Sequence, residues 1–151
     1  MSIHIMLEEH LHKAIKEKDE ARKTTLRLLM SSIKLAEVAK GAPLSEADEL
    51  AIIQKEIKTR NDTVIDASKA GRNDLIREAE NEVKILEEYL PKQVTYKELL
   101  AIAEQVIQEV DAKSMKDMGR VIKVLIDRLA GKASNQDASK AVRELLQVNN
   151  L

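Results

Sequence analysis

The chain of 151 residues contains no cysteine, phenylalanine or tryptophan, and it has only two prolines and four glycines. Without cysteine there is no disulfide, thiolate metal site or cysteine nucleophile, which agrees with a reducing compartment. Two tyrosines are the only aromatic residues, so the core must be built from Leu, Ile, Val, Ala and Met. Few helix breakers and 34% charged residues are typical of an all-helical protein, and no segment has the alternating pattern of a strand.

Long apolar runs and an excess of one charge sign are also absent. No segment approaches about 18 consecutive apolar residues, so we expect no membrane span. The first residues lack the apolar segment of a secretory signal, and we therefore expect a cytoplasmic protein. The net charge of −1 argues against a strongly basic nucleic-acid-binding protein and leaves only local basic patches for anionic partners.

Apolar residues recur at helical spacing along the chain, between capping residues, glycines and prolines. Ser45 opens a predicted capping box, Gly71 is a predicted turn, and Pro91 ends a helix. Further predicted caps are Asp19, Asn73, Thr95 and Ser134. The sequence predicts an N-terminal domain of about four helices with a long helical hairpin (residues 1–91) and a small C-terminal three-helix bundle (residues 92–151).

The segment from Ser114 to Ala133 combines an apolar and a basic face. At about 3.6 residues per turn, apolar side chains share one side of a helix: Met118, Val121, Ile122, Leu125 and Leu129. Cations lie nearly opposite, with one beyond the helix end: Lys116, Arg120, Lys123 and Lys132. Gly119 inside this helix costs about 0.5 to 1 kcal/mol relative to alanine, which indicates close approach of another backbone.

Two interpretations of this basic stripe stay open. Charged stripes usually keep helices hydrated, and Lys123 with Asp127 has the i, i+4 spacing of a helical ion pair. The alternative is contact with an anionic ligand. Single-stranded nucleic acid is usually bound through aromatic stacking, and this half of the chain offers only Tyr96. Folded RNA, which is recognised through phosphates and shape, suits the stripe better.

No group of residues has the pattern of a catalytic or metal site. The histidines share the first predicted helix without the i, i+4 spacing that directs two imidazoles at one metal: His4, His10 and His12. Glu87 and Glu88 are adjacent and point about 100° apart on a helix, so they do not face each other. The cations of the second and third helices, Arg60 among them, alternate with acids and are predicted to be solvated. The sequence therefore predicts no catalytic residue, metal or cofactor.

Six short motifs spread over the whole chain belong together: 44–50 (LSEADEL), 55–60 (KEIKTR), 71–75 (GRNDL), 88–93 (EYLPKQ), 118–122 (MGRVI) and 131–133 (GKA). In this combination they resemble the YqeY family. The Tyr-Leu-Pro-x-Gln junction and the Met-Gly and Gly-Lys-Ala pair are the most specific of them. One departure is Ser134-Asn135, where family members usually carry an acidic residue and often glycine.

The YqeY family is similar to the C-terminal tail region of the GatB subunit of the tRNA-dependent amidotransferase, where the tail helps to hold the tRNA. The resemblance implies a noncatalytic helical module, because the ATP- and magnesium-dependent cradle of that enzyme has no counterpart here. It further implies a module that binds tRNA or another folded RNA in a translation-related role. Phosphate contacts are expected from the basic stripe, and close backbone approach from two glycines: Lys116, Arg120, Lys123, Lys132, Gly119 and Gly131.

Two alternatives to RNA binding remain. One is a protein-interaction module that docks an apolar helix face on a partner, without nucleic acid. The other is an accessory role in a carbon–nitrogen ligase complex that uses glutamine as amido donor. Neither alternative involves a membrane, and the sequence does not predict an oligomeric state or the identity of a translation-related protein partner.

Overall fold

A computed structural model describes residues 3–149 of the chain, and the all-α prediction is confirmed. Seven α-helices and one 3₁₀ turn form its regular structure, with no strand among those residues. The helices are α1 (Ile3–Lys16), α2 (Glu20–Lys40), α3 (Glu46–Lys69), α4 (Asn73–Glu87), α5 (Tyr96–Glu109), α6 (Met118–Leu129) and α7 (Asn135–Asn149). None of these helices is both long enough and apolar enough to cross a membrane.

Most helix ends lie where the capping residues predict them. Asp19 Oδ1 accepts from the backbone N–H of Arg22 (3.1 Å), and Ser45 forms a capping box at the start of α3. Gly41 ends α2 with a φ of 73°, a backbone conformation that glycine adopts without strain. Asn73 differs from its prediction, because it is already the first residue of α4 and no side chain caps that helix.

The described chain divides into two compact units between Leu90 and Pro91. In the first unit, α3 and α4 pack side by side as a hairpin, and the short turn at Gly71 (φ 68°) makes them antiparallel. Helices α1 and α2 pack on each other and complete the core. Its buried residues are Ile3, Leu7, Leu26, Leu29, Ile33, Leu50, Ile53, Ile85, Leu86 and Tyr89.

The second unit is a three-helix bundle of α5, α6 and α7, as predicted. Thr95 Oγ1 caps α5 by accepting from the backbone N–H of Glu98, and Ser134 Oγ accepts from that of Asp137 before α7. The core is entirely aliphatic: Leu99, Ala103, Val106, Ile107, Val121, Leu125, Leu129, Ala133, Ala138, Ala141, Val142 and Leu146. Burial of side chains of this size contributes roughly 1.5 to 3 kcal/mol for each leucine or valine.

Candidate nucleic-acid interface

Helix α6 presents an apolar and a charged side, as its spacing predicts. Val121 and Leu125 are fully buried and Leu129 is 3% exposed, and all three pack in the core of the second unit. Arg120 and Lys123 lie on the opposite side and are exposed. The apolar side therefore fixes the helix in its bundle and holds the charged side toward solvent.

The start of α6 lies later than predicted, because a 3₁₀ turn (Met115–Asp117) precedes it. Ser114 Oγ accepts from the backbone N–H of Lys116 (3.3 Å), and Asp117 Oδ2 accepts from that of Lys113 (2.9 Å). The Lys113 N–H and the nearby guanidinium of α6 lower the pKa of Asp117. Lys116 thus lies in this turn rather than on the helix, and the Ser-x-x-Asp spacing was the sequence signal for it.

Arg120 links the start of α6 to the end of α5. Its Nη1 donates to the carbonyl oxygen of Val110 (2.6 Å) and its Nη2 to Asp117 Oδ1 (3.1 Å), while 52% of the side chain remains exposed. The Val110 carbonyl follows the last residue of α5 and is among the acceptors that a helix end leaves unpaired. Because a guanidinium has more N–H donors than these two bonds use, Arg120 retains donors for an anion.

The lysines of the candidate interface are exposed, and none of them forms an ion pair with a residue between 3 and 149: Lys116, Lys123 and Lys132. In particular, the i, i+4 pair expected between Lys123 and Asp127 does not form within this range. Ammonium groups without a carboxylate neighbour leave their full charge toward solvent, where an anion can approach.

Gly119 lies in the first turn of α6 and is exposed. A Cβ atom added there would meet no heavy atom within 4 Å, so no backbone of the described chain approaches it. The expected close approach of another backbone is therefore not made among residues 3–149. The space beside Gly119 is open. In the sequence Gly119 directly precedes Arg120 and lies three residues after Lys116.

The second glycine of the candidate interface belongs to a firmly held turn between α6 and α7. Gly131 has a φ of 84°, and its carbonyl accepts from Gln93 Nε2 (2.9 Å). The backbone N–H of Val94 donates to the carbonyl of Lys132 (2.9 Å). These bonds fix the backbone of the turn, while the Lys132 side chain extends into solvent.

The candidate cations are spread along α6 and its two flanking turns, and we call them the α6 row. Lys116 and Lys132 lie at opposite ends of α6, whose 12 residues give a length of about 18 Å. Arg120 and Lys123 lie between them on the exposed side of the helix. Cations spread over this length fit an extended polyanion better than a small anionic ligand.

The aromatic ring of this half of the chain is occupied. The Nζ atom of Lys140 lies 5.0 Å from the centre of the Tyr96 ring, in a cation–π contact between α7 and α5. Burial and the nearby carboxylate of Glu144 raise the pKa of Tyr96 to about 12. Lys140 thus occupies one face of the Tyr96 ring, and the ring also packs against the core of the second unit.

In the first unit, the prediction that Arg60 is solvated was wrong. Arg60 is only 8% exposed and links α3 to α4: Nη1 donates to Glu56 Oε2 (2.5 Å) and Nε donates to Glu82 Oε2 (2.9 Å). Ser32 on α2 adds a hydrogen bond to Glu56 Oε1 (2.9 Å). The sequence indicated only the i, i+4 spacing of Glu56 and Arg60, because the Ser32 and Glu82 contacts depend on how the helices pack.

His4, His10 and Glu88 each have a partner within the described range. His10 Nδ1 lies 2.5 Å from the hydroxyl of buried Tyr89, and His4 Nε2 lies 3.1 Å from Glu8. Between residues 3 and 149 no three potential ligands are grouped for a metal ion. Glu88 is exposed and accepts two hydrogen bonds from Arg22, which lower its pKa.

Comparison with known proteins gives a family and several relatives. The family model described as "Yqey-like protein" matches residues 5–146. A protein of Kluyveromyces lactis is 35% identical over 122 residues, covering 80% of this chain and 57% of the relative. Relatives from Lachancea thermotolerans (39% over 85 residues, covering 56% and 46%) and Vanderwaltozyma polyspora (35% over 111 residues, covering 73% and 55%) are similar. The chain thus spans about half the length of these curated relatives.

All three relatives carry the name "Altered inheritance of mitochondria protein 41, mitochondrial". The prediction of a cytoplasmic location was therefore wrong by this comparison. It was based on the absence of cysteine and of an apolar leader, and neither feature distinguishes one reducing compartment from another.

Proposed function

The chain belongs to the YqeY family, and from this premise we propose that it is a noncatalytic helical module whose second unit binds tRNA or another folded RNA in a translation-related role. The proposal concerns the row of cations on α6 and the turns at its two ends. It does not depend on compartment, because tRNA is present wherever translation occurs.

The observation that carries the proposal is the unneutralised row of Lys116, Lys123 and Lys132. Each lysine is exposed and lacks an ion pair with any residue in the range 3–149, although the neighbouring arginines of this unit, Arg120 and Arg128, have acidic partners. The three lysines lie on α6 and in its flanking turns, beside Arg120, which also keeps N–H donors for an anion. Phosphate groups of a nucleic acid would neutralise them and release counterions.

The form of RNA follows from what the interface offers. The row provides point charges and an open glycine backbone, and the tyrosine of this unit is covered by Lys140. Charges and shape suffice for a duplex-like RNA, whereas a single strand would need stacking surfaces. Helical RNA is therefore the expected ligand, with little dependence on base sequence.

Salt dependence of tRNA binding tests the proposal. Four phosphate contacts correspond to a log–log salt slope of about 3 to 4, and replacing Lys116, Lys123 and Lys132 together by alanine should lower this slope by about 2 to 3. The measurement is a fluorescence titration of labelled tRNA with the full chain at several salt concentrations. Retained helicity by circular dichroism would show that the variant is folded.

A matched variant controls for the lost net charge. Lys16, Lys55 and Lys69 are exposed lysines of the first unit without an ion pair in the described range. Their joint replacement by alanine changes the net charge equally and should leave the salt slope unchanged. Equal slopes in both triple variants would remove the RNA site from α6.

The proposal also assigns the chain no chemistry of its own. Purified protein supplied with glutamine, ATP and mischarged tRNA should therefore show no amide transfer. Turnover in that assay would contradict the noncatalytic role and would favour the ligase-related alternative.

A further inference from the structure

Helix α2 carries an exposed apolar stripe that the fold does not use. Leu28, Leu35 and Val38 are 49%, 71% and 74% exposed, although large aliphatic side chains elsewhere on the same helix are fully buried. At about 3.6 residues per turn the three lie on one side of the helix, together with Thr24 and Ser31. They form one continuous surface, which we call the α2 stripe.

The α2 stripe lies away from the core-facing side of its helix. Leu26, Leu29 and Ile33 are at most 1% exposed and fix α2 in the first unit. The stripe is thus held rigidly in place while its own side chains stay in water. Adjacent exposed aliphatic residues of this kind mark interaction sites more often than single exposed ones do.

The charges beside the stripe indicate what it binds. Arg27 and Lys34 each come directly before a stripe leucine in the sequence. Each therefore lies about 100° around the helix from that leucine, on the same edge of the stripe, and the two are roughly 10 Å apart along the helix axis. Both are exposed, and neither has an ion pair among residues 3–149. The helix segment 24–36 contains no acidic residue that could neutralise them. The stripe therefore has one edge that is positively charged.

A second copy of this chain does not supply the missing charge. In an antiparallel face-to-face dimer the two cationic edges would lie on the same side and repel each other. In a parallel dimer each cationic edge would meet the opposite edge of the stripe, where Ser32 bonds to Glu56, a carboxylate that is only 23% exposed and already paired with Arg60. Charge complementarity therefore requires a different partner.

We propose that the α2 stripe docks an amphipathic helix of another protein, with carboxylates along one edge of its apolar face. The leucines and Val38 would pack between the partner's apolar side chains, in the manner of helix-in-groove recognition. Arg27 and Lys34 would pair with carboxylates about seven residues apart on the partner, which also sets its direction. The α2 stripe belongs to the first unit and the α6 cations belong to the second, and the docking proposal does not rest on RNA binding.

Selection from a displayed library of amphipathic helical peptides tests the proposal with the full chain. Peptides are selected on the natural protein and depleted on a Leu35→Glu/Val38→Glu variant. The surviving peptides should carry Asp or Glu along one edge of an apolar stripe and should bind the natural chain about tenfold more tightly than versions with Lys at those positions. The same selection on an Arg27→Glu/Lys34→Glu variant should return peptides with a Lys or Arg edge.

Val148→Glu provides the matched control, because Val148 is 67% exposed on α7 and its replacement should leave the selected peptides bound. Circular dichroism of all variants checks the fold, and the substituted side chains are exposed. The proposal is overturned if no peptide survives depletion or if the edge charge does not switch. If the natural chain forms a dimer in sedimentation that Leu35→Glu abolishes, the occupant is a second copy and the proposal is overturned. If Leu35→Glu abolishes binding to vesicles of anionic phospholipid, the occupant is a membrane and the proposal is likewise overturned.

Discussion

The two units of the chain place their charged residues in different ways. The first unit buries Thr25, Glu49 and Arg60 within its helical core. The buried residues of the second unit within the described range are all apolar, and its charged groups lie at the surface. The polar contacts between helices thus include a buried cation in the first unit, whereas in the second unit those of Arg120 and Arg128 lie at the surface.

The two units also differ in whether their cations are paired within the protein or left exposed to solvent. Where Arg60 joins α3 and α4 through two carboxylates, its charge is used inside the protein and is not offered to a ligand. In the second unit the arginine–glutamate pair that joins α6 to α5, Arg128–Glu109, lies at the surface, and Lys123 has no ion pair with a residue between 3 and 149. The exposed side of α6 thus carries unpaired positive charge, whereas the exposed surface of the first unit is notable for the apolar α2 stripe.

The largest effect is expected from removing the buried cation of the first unit. Arg60→Ala leaves Glu56 and Glu82 as partly buried carboxylates without their partner. The loss of such a pair destabilises a protein by about 3 to 5 kcal/mol. Urea unfolding gives the change in free energy, and hydrogen exchange should place it in α3 and α4 rather than in the second unit.

Two control variants sharpen this result. Arg22→Ala removes a more exposed arginine–glutamate pair of the same unit and should cost less than about 1 kcal/mol. A triple variant, Arg60→Met with Glu56→Leu and Glu82→Leu, should recover most of the stability, because apolar side chains often replace a buried ion pair without loss. If Arg60→Ala cost no more than Arg22→Ala, the buried network would not hold the two helices together.

The next effect concerns packing, where the two units should behave alike. Leu86 in the first unit and Leu125 in the second are both fully buried. Replacing either by alanine should cost about 3 kcal/mol, since it removes buried methylene groups and leaves a cavity. Urea unfolding with hydrogen exchange should locate the loss in the unit that carries the substitution. A negligible cost for Leu125→Ala would contradict the dependence of the second unit on aliphatic packing.

Local sequence signals predicted most of the fold, because most helix boundaries here are set by nearest neighbours. Ser45, Gly41 and Thr95 act within one turn of their own position, and the apolar spacing of α6 correctly selected its buried side. The start of α6 was predicted too early, because the apolar spacing was given more weight than the capping residue Ser114, which begins the 3₁₀ turn instead. Asn73 failed as a cap because α4 already includes it.

Contacts between distant helices were not predictable in the same way. The partner of Arg60 on α4 lies 22 residues away, and Glu88 lies 66 residues from Arg22, so no local spacing indicates either pair. For the α6 row, the sequence identified the cations but could not show that Arg120 bonds to the Val110 carbonyl while Lys123 stays unpaired. That distinction depends on the packing of α5 against α6.

The smallest effect on the free energy of unfolding is expected from Glu49. Its pH dependence should be found in the first unit and not in the second. Burial raises the pKa of Glu49, an effect that the nearby N–H and ring of His4 only partly oppose, and Oε2 has no hydrogen-bond partner in the described chain. A raised folded-state pKa means that the cost of burying this group is absent below its ordinary pKa of 4.5 and appears as the pH rises through the folded-state pKa.

Glu49→Gln should therefore stabilise the first unit at neutral pH and have no such effect below the ordinary pKa of a glutamate. Urea unfolding at both pH values measures the difference, and Glu80→Gln, an exposed change on α4, is the matched control. The second unit buries no carboxylate among its described residues, so hydrogen exchange of α5 to α7 should be the same in both proteins. If Glu49→Gln is instead less stable at neutral pH, the charged Glu49 carboxylate must make favourable bonds in the folded protein. The charge of Glu49 would then stabilise the first unit, which contradicts the prediction.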